Sequence, residues 1–237
     1  MTSAIAVKDI VAGYGQTIVL DGISLEVADG GTLALLGRNG VGKTTLLCTM
    51  MGLTTRHSGT VSYFGKNIEA VPTHLRSRNG LALVPQERRI FPSLSVHENL
   101  LVSLQSNGWD LEQIYGFFPG LAARRGNAGN QLSGGEQQML AVARALAGAP
   151  KVLLLDEPME GLAPVIVDAL FDAFSKIRDE GGMAIILVEQ KVDLALEFAR
   201  DAIILDRGQV VYEGTTAALR DDEEAQHKYL SVGNEMG

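Results

Sequence analysis

Nine consecutive residues, Gly37-Arg38-Asn39-Gly40-Val41-Gly42-Lys43-Thr44-Thr45, constrain this chain more than any other stretch of it. They follow the apolar run Thr32–Leu36, lead into the helical pattern Lys43–Met51, and fit the phosphate-binding spacing G-x-x-x-x-G-K-[ST]. Gly37, Gly40 and Gly42 let the backbone curl into a nest of N–H groups, with Arg38, Asn39 and Val41 between them. The helix that follows turns its positive end to the same point. Lys43 adds a full positive charge for the β- and γ-phosphates, Thr44 offers a hydroxyl to Mg²⁺, and Thr45 completes the turn. Strand before, helix after and a complete motif argue against a chance glycine loop. The loop says that a nucleotide binds; it does not say what the nucleotide is used for.

The bulk composition narrows the use. A chain of 237 residues, 46% hydrophobic, buries a full core and suits one large α/β domain or one domain with an insertion. Its net charge of −8 argues against a broad nucleic-acid surface, which needs a concentrated basic field. The single cysteine, Cys48, cannot close an internal disulfide; on the helix after the nucleotide loop it reads as a small core residue of a protein in a reducing compartment. No secretory signal is apparent, and no apolar run approaches the roughly 18 residues that span a bilayer. The protein is therefore expected in the cytoplasm, docking on a partner if it serves a membrane process.

In chain order, Ile5–Val11 leads as an apolar-rich segment into Gly13-Tyr14-Gly15, and Ile23, Leu25 and Val27 then alternate as a half-buried strand should. Gly52 and Gly59 bracket an expected loop, and Thr60–Phe64 with Gly65-Lys66 reads as a hairpin returning near Ile68. Leu81–Val84 is a short strand ended by Pro85, with Gln86 at its tip. From about Ser95 to Gly148 strand signals vanish, and Val96–Ser103, Leu111–Phe117 and the face Met139, Val142, Ala143, Leu146 read as helical. Val152–Leu155 and Ala184–Val188 are continuous apolar runs fit for buried parallel strands. Between them Pro164 starts a helix with Val167, Leu170, Phe171, Phe174 and Ile177 on one face, ended by Gly181-Gly182. Ala202–Leu205 and Val210–Tyr212 close the core, and Asp221–Glu224 reads as a solvated helix start.

Two carboxylates stand at the end of the Val152–Leu155 strand. Asp156 suits Mg²⁺ through its water shell, and Glu157 suits the polarising of a water that attacks the γ-phosphate. Further up the chain, Leu132-Ser133-Gly134-Gly135-Glu136-Gln137-Gln138 has a plain reading as a helix start, because Ser133 and Glu136 form the S-x-x-E of a capping box. A cap does not require Gly134 and Gly135, however, and these expose backbone N–H groups at a helix N-terminus, where anions bind.

This stretch, with the nucleotide loop upstream and Asp156-Glu157 downstream, resembles the signature motif of ABC (ATP-binding cassette) ATPases, and the resemblance covers essentially the whole chain. It implies a RecA-like α/β P-loop core with an antiparallel N-terminal β-subdomain and a helical insertion. A single ABC ATPase domain would span 1–237, with approximately 90–148 as the signature-bearing helical subdomain. It implies ATP and Mg²⁺ as cofactors and two cassettes packed head to tail, each ATP lying between one P-loop and the other signature. Carried over, Tyr14 stacks on adenine, Gln86 links Mg²⁺ and the attacking water to the helical subdomain, and Ser133 and Gly135 contact the γ-phosphate across the dimer. Tyr14 read without the resemblance is an ordinary strand-end tyrosine. Glu87-Arg88-Arg89-Ile90-Phe91-Pro92 resembles the segment that receives the membrane subunits, and composition alone leaves a solvated surface with a core phenylalanine equally open.

Two positions depart from the family pattern. Gln190 stands where most relatives carry a γ-phosphate-sensing histidine; glutamine donates an amide hydrogen bond but never becomes a cation. Ala163, in Met159-Glu160-Gly161-Leu162-Ala163-Pro164, stands where many place aspartate. Gly-Leu-Ala-Pro and Val-Glu-Gln resemble the LivF-type ATPases of branched-chain amino acid importers and their amide- and urea-importing relatives. The resemblance implies transmembrane permease subunits as partners, a homodimer or a heterodimer with a second ABC ATPase, and indirectly a solute-binding protein. It places the chain on the cytoplasmic face of the bacterial inner membrane. Other readings weighed are a soluble ABC ATPase of translation or DNA repair, a P-loop kinase, which gives no reason for Leu-Ser-Gly-Gly-Glu, and an export ATPase.

Overall fold

Apolar runs of strand length become the buried strands of a computed structural model that describes residues 3–230. The chain forms two units, one from residues up to Thr73 together with those from Ala184 onward, the other from His74 to Met183.

The first unit opens with β1 (Ser3–Tyr14) and β2 (Thr17–Ala28), an antiparallel pair in which Val7 faces Leu25 and Tyr14 faces Thr17. The expected alternation holds: Ile23, Leu25 and Val27 are buried while Ser24 and Glu26 are exposed. β3 (Thr32–Leu36), buried at every position, feeds the glycine loop and α1 (Lys43–Met51). β4 (Thr55–Tyr63) and the short β5 (Lys66–Asn67) then complete an antiparallel sheet in the order β2-β1-β4-β5.

β4 corrects one expectation. The stretch between Gly52 and Gly59 is largely strand, not loop, because Thr55–Ser58 pair by backbone with β1 while their side chains stay exposed. Without burial there is no hydrophobic alternation to read. The ladder slips between Lys8 and Val11, where Asp9 takes φ 50° and Gly59 φ 81°. A Cβ on Gly59 would lie 2.3 Å from the Asp9 carbonyl oxygen, so this bulge admits only glycine.

The chain passes through α2 (Thr73–Arg78) into the second unit, whose β6 (Leu81–Val84) later pairs in parallel with β7 (Val152–Asp156). Between them lie α3 (Val96–Leu101), α4 (Leu111–Phe117), α5 (Pro119–Ala122), a 3₁₀ turn at Gly129–Gln131, and α6 (Gly134–Ala147). α3 stops two residues short of the expected Ser103, with Val102 as its C-cap and 60% exposed. α3 and α4 both start on capping boxes, Ser95/Glu98 and Asp110/Gln113, which satisfy backbone donors that short helices leave open. Met139, Val142, Ala143 and Leu146 form the buried face of α6 as their spacing requires. α7 (Pro164–Glu180) follows β7 and buries Val167, Leu170, Phe174 and Ile177.

The chain returns to the first unit with β8 (Ala184–Val188), α8 (Val192–Phe198), β9 (Asp201–Asp206) and β10 (Gln209–Thr215). There β3 pairs in parallel with both β8 and β9, and β10 closes antiparallel on β9. α9 (Thr216–Asp221) and α10 (Glu223–Tyr229) end the described chain, with Asp222 capping α10 through the Ala225 N–H. Cys48 is half-buried on α1 rather than a core residue, since the helix turns Leu46, Leu47 and Met50 inward instead.

Candidate functional site

In the first unit the loop after β3 is shaped by backbone that side-chain-bearing residues rarely adopt. Gly37 and Gly42 have φ 138° and 114°, and a Cβ on either would strike a neighbour, the Leu205 carbonyl oxygen at 2.3 Å or Leu20 Cδ2 at 2.8 Å. Gly42 caps α1 with no side-chain hydrogen bond, and no acidic residue occupies the first turn. A helix N-terminus left in this way directs donors and positive potential outward. Lys43 is 5% exposed and folds back on the loop, its Nζ donating to the carbonyls of Gly37 at 2.8 Å and Arg38 at 3.0 Å. Thr44 is exposed beside it, and Thr45 is buried with its carbonyl accepting from Thr49 Oγ1.

A cleft of about 340 Å³ opens along Gly37, Arg38 and Asn39 and is bounded on its far side by Glu189 and Gln190 at the end of β8. Gln190 is thus brought to the loop. Tyr14 does not line the cleft; it stands 51% exposed at the β1–β2 turn, where Gly15 N–H donates to Thr55 Oγ1. Glu189 was not singled out by its sequence. The residue is 2% exposed and its carboxylate accepts from the Gln190 N–H at 3.2 Å, so a buried acid backs the candidate γ-phosphate sensor. The signal was its place at the tip of a wholly apolar strand.

In the second unit β7 delivers Asp156 buried at its last position. Glu157 comes next, half-buried and at φ 48°, a left-handed conformation that costs a non-glycine residue about 1–3 kcal/mol. Its carbonyl accepts from Glu160 N–H at 3.2 Å, closing a turn. Gln86 is exposed beyond Pro85, and its Nε2 donates to the Glu160 carboxylate.

The signature stretch forms the start of α6. Ser133 is the N-cap: its Oγ accepts from Glu136 N–H at 3.3 Å, and its own N–H donates to Glu136 Oε2 at 2.8 Å. Arg124 Nε reaches the other carboxylate oxygen of Glu136 at 2.5 Å. Partial burial works to raise the Glu136 carboxyl, but the Ser133 hydrogen bonds and the Arg124 charge outweigh it and hold it below its ordinary 4.5. Ser133 is exposed and Gly134 half-exposed, while Gly135 is buried, with a Cβ there meeting Ile166 Cγ2 at 2.6 Å. Capping and partial exposure of Gly134 therefore coexist at this turn, whereas Gly135 is buried, not exposed as its sequence suggested, because it packs against Ile166.

The Glu87–Pro92 stretch also resolves. Arg88 and Arg89 take φ 63° and 44°, and Phe91 is 43% exposed, so it is not a core phenylalanine. Arg144 on α6 packs its guanidinium 4.9 Å from the Phe91 ring centre and donates through Nη2 to the Arg89 carbonyl at 2.5 Å. Its Nη1 is buried without a hydrogen-bond partner, and burial lowers this guanidinium from its ordinary value. Arg88, Phe91, Val102, Leu104 and Arg144 line a cleft of about 680 Å³.

A parallel-stranded α/β unit with an uncapped glycine-loop helix, and a helical unit that carries a paired-carboxylate strand, define a P-loop nucleotide-binding ATPase. The comparisons give the particular family: the chain matches the ABC transporter family over residues 20–160 and belongs to it. It is 39% identical to a high-affinity branched-chain amino acid transport ATP-binding protein, BraG, of Pseudomonas aeruginosa, covering 92% of this chain and 95% of that one. It is 37% identical to a probable branched-chain amino acid transport ATP-binding protein, LivF, of Archaeoglobus fulgidus, over 93% and 96%. A crystal structure of a nucleotide-free ATP-binding cassette from an ABC transporter shares the fold, with TM-score 0.83 at 23% identity over 99% of this chain and all of that one. The chain is accordingly an ATP-binding ATPase subunit of a transporter. Among the described residues no helix is long and apolar enough to cross a membrane.

Proposed function

We propose that this chain is the ATP-hydrolysing subunit of a bacterial ABC importer whose solutes are branched-chain amino acids, and that it works on the cytoplasmic face of the inner membrane. The observation that carries the ATPase reading is the start of α1, where strained glycines, the bare helix end and the buried Lys43 ammonium converge on one loop. The solute class rests on the likeness to BraG and LivF over more than nine-tenths of the chain.

The residues divide the work by chemistry. Lys43 and the N–H groups from Gly37 to Thr45, with Gly40 and Asn39 among them, hold the phosphates. Tyr14 offers an exposed ring for the adenine face. Thr44, Asp156 and Gln86 supply the hard oxygen donors that suit Mg²⁺, and the ion, when bound, neutralises phosphate charge. Glu157 polarises the attacking water and Gln190 contributes an amide hydrogen bond to the γ-phosphate. Ser133, Gly134 and Gly135 face the ATP of a second cassette, an identical chain or a related one. ATP closes that pair and hydrolysis reopens it, so the permease alternates between conformations with different affinities. The cleft of Arg88, Phe91, Val102, Leu104 and Arg144, polar and apolar at once, suits a permease segment, and a solute-binding protein enters only through that permease.

The test begins with ATPase activity of the chain alone and together with the membrane subunits and any second ATPase encoded nearby. Strong stimulation is expected; full activity alone, unchanged by them, would indicate a self-sufficient soluble ATPase. Uptake of labelled leucine, a short-chain amide and urea in cells lacking the gene then fixes the solute. Loss of amide or urea uptake with leucine uptake intact would replace the amino acid reading. Glu157→Gln should lower turnover by roughly 10²- to 10⁴-fold while ATP still binds.

A further inference from the structure

The contact between Gln86 and Glu160 joins two segments of the second unit that are far apart in sequence. Gln86 follows Pro85 at the end of β6, whereas Glu160 sits three residues after Glu157 in the turn beyond β7. That turn is held at both ends. The N–H of Glu160 donates to the Glu157 carbonyl, and Gly161 continues the chain at φ 68°. The backbone conformation of Glu157 and the place of the Glu160 carboxylate are thus fixed by the same few bonds.

A glutamine amide presents two unlike atoms: Nε2 only donates and Oε1 only accepts. Against a carboxylate the assignment is not ambiguous, because a carboxylate accepts and Oε1 has no proton to give. With Nε2 committed to Glu160, Oε1 is the atom left for a divalent cation or a water proton, and those need an oxygen. An amide turned the other way would set N–H groups against a cation.

We propose that Glu160 is a positioning residue. It selects the amide orientation in which Gln86 presents Oε1, and it ties Gln86 to the turn that shapes Glu157, so the metal-facing and water-polarising residues move as one assembly. This inference rests on the role given to Gln86 above. In this role Glu160 acts through Gln86 and not on the nucleotide or the water directly. In Met159-Glu160-Gly161 its carboxylate is not needed to close the turn, which its own backbone N–H already does.

The test measures Mn²⁺ affinity by electron paramagnetic resonance on the whole chain with a non-hydrolysable ATP analogue. Wild type is compared with Gln86→Ala, Glu160→Ala, the double variant and Glu160→Gln, and thermal melting confirms that each is folded. Gln86→Ala and Glu160→Ala should each weaken Mn²⁺ binding by about the same factor, on the order of tenfold, and the double variant no further. Glu160→Gln keeps an acceptor oxygen for Nε2 and should recover most of the affinity. In the assembled transporter Glu160→Ala should lower kcat with the KM for ATP unchanged. Gln86→Ala weakening Mn²⁺ while Glu160→Ala does not would overturn the role of Glu160 alone. Additive losses in the double variant would do the same. An unchanged Mn²⁺ affinity in Gln86→Ala would remove both the role of Gln86 and this inference.

Discussion

At the start of α1 the cap is Gly42, no side chain closes it, and the first turn holds no acid; at the start of α6 the cap is Ser133, a full capping box closes it, and Glu136 sits in the first turn. Both turns are glycine-rich, yet the glycines serve different needs. Gly42 is required by its backbone angle, with φ at 114°, whereas Gly135 has ordinary helical angles and is required by the closeness of Ile166. The α1 end suits an outside anion, since its N-cap glycine supplies no side-chain acceptor and no acid in the first turn offsets the helix dipole. The α6 end is already satisfied on one flank and offers only what the capping box leaves over. One turn leaves its helix end without a side-chain cap; the other is closed by its own capping box and is stable by itself.

Removing the cation from the first turn should have the largest effect. Lys43→Ala deletes a charged partner of the phosphates worth about 1.5–3 kcal/mol, so ATP affinity should fall roughly 10- to 100-fold by equilibrium titration. Thermal melting should show the fold intact, since the Lys43 ammonium donates to the carbonyls of its own loop, at Gly37 and Arg38. Affinity unchanged within a factor of two would break the contrast at its root.

The second prediction separates the two kinds of glycine. Gly42→Ala and Gly135→Ala should each destabilise by about 1–3 kcal/mol in denaturant titrations. They differ in how the loss is relieved. Ile166 is only half-buried, and Ile166→Ala should recover most of the loss in Gly135→Ala through a large coupling term. Leu20→Ala should couple weakly with Gly42→Ala, because removing Leu20 Cδ2 leaves the backbone strain in place. Equal coupling in both cycles would mean that contact alone decides both positions.

How much of this was legible depended on whether a residue's role was written in burial or in backbone. β3, β7 and β8 are wholly buried, and apolar runs announced them, with Asp156 and Glu157 at the tip of β7. The nucleotide loop was legible because glycine spacing is itself a record of backbone angle. β4 was not, since its first half is paired by backbone and exposed, and exposed strands leave no alternation. Glu189 and Glu160 were passed over for a related reason. The apolar strand before Glu189 marks its place but not the burial of its acid, and nothing beside Glu160 in sequence shows that it reaches an amide from another strand end. Phe91 shows the converse: its apolar character permitted a core position, yet it follows a left-handed turn at Arg88-Arg89 and is 43% exposed.

Caps can also be exchanged. Ser133→Ala removes the acceptor for the Glu136 N–H and should cost about 1 kcal/mol, with ATP affinity of the isolated chain unchanged. Ala163 is the N-cap of α7 with no side-chain hydrogen bond, aided only by Pro164 at the next position, so Ala163→Asp should stabilise by about 0.5–1 kcal/mol. Opposite shifts in melting temperature are the expected pair. A destabilised Ala163→Asp would mean that the cap position there is set by something other than helix donors.

The smallest effect follows from the acid in the α6 first turn. The Glu136 carboxyl is held below 4.5 in the folded chain, so folding favours its ionised form. Its contribution is therefore complete above its unfolded value and is lost as pH falls through the lower folded one. Wild type should exceed Glu136→Gln in stability by a constant few tenths of a kcal/mol near neutral pH, as a cap bond and a partly exposed ion pair allow. That gap should close only below 4.5, and Arg124→Gln should shift the closing point upward by removing one of the charges that lower the carboxyl. α1 has no acid in its first turn and contributes nothing to this titration. Denaturant titrations of the three proteins from neutral pH downward read the gap directly. A gap that stayed constant well below 4.5 would mean that Glu136 acts by shape alone and that the two helix starts do not differ in charge.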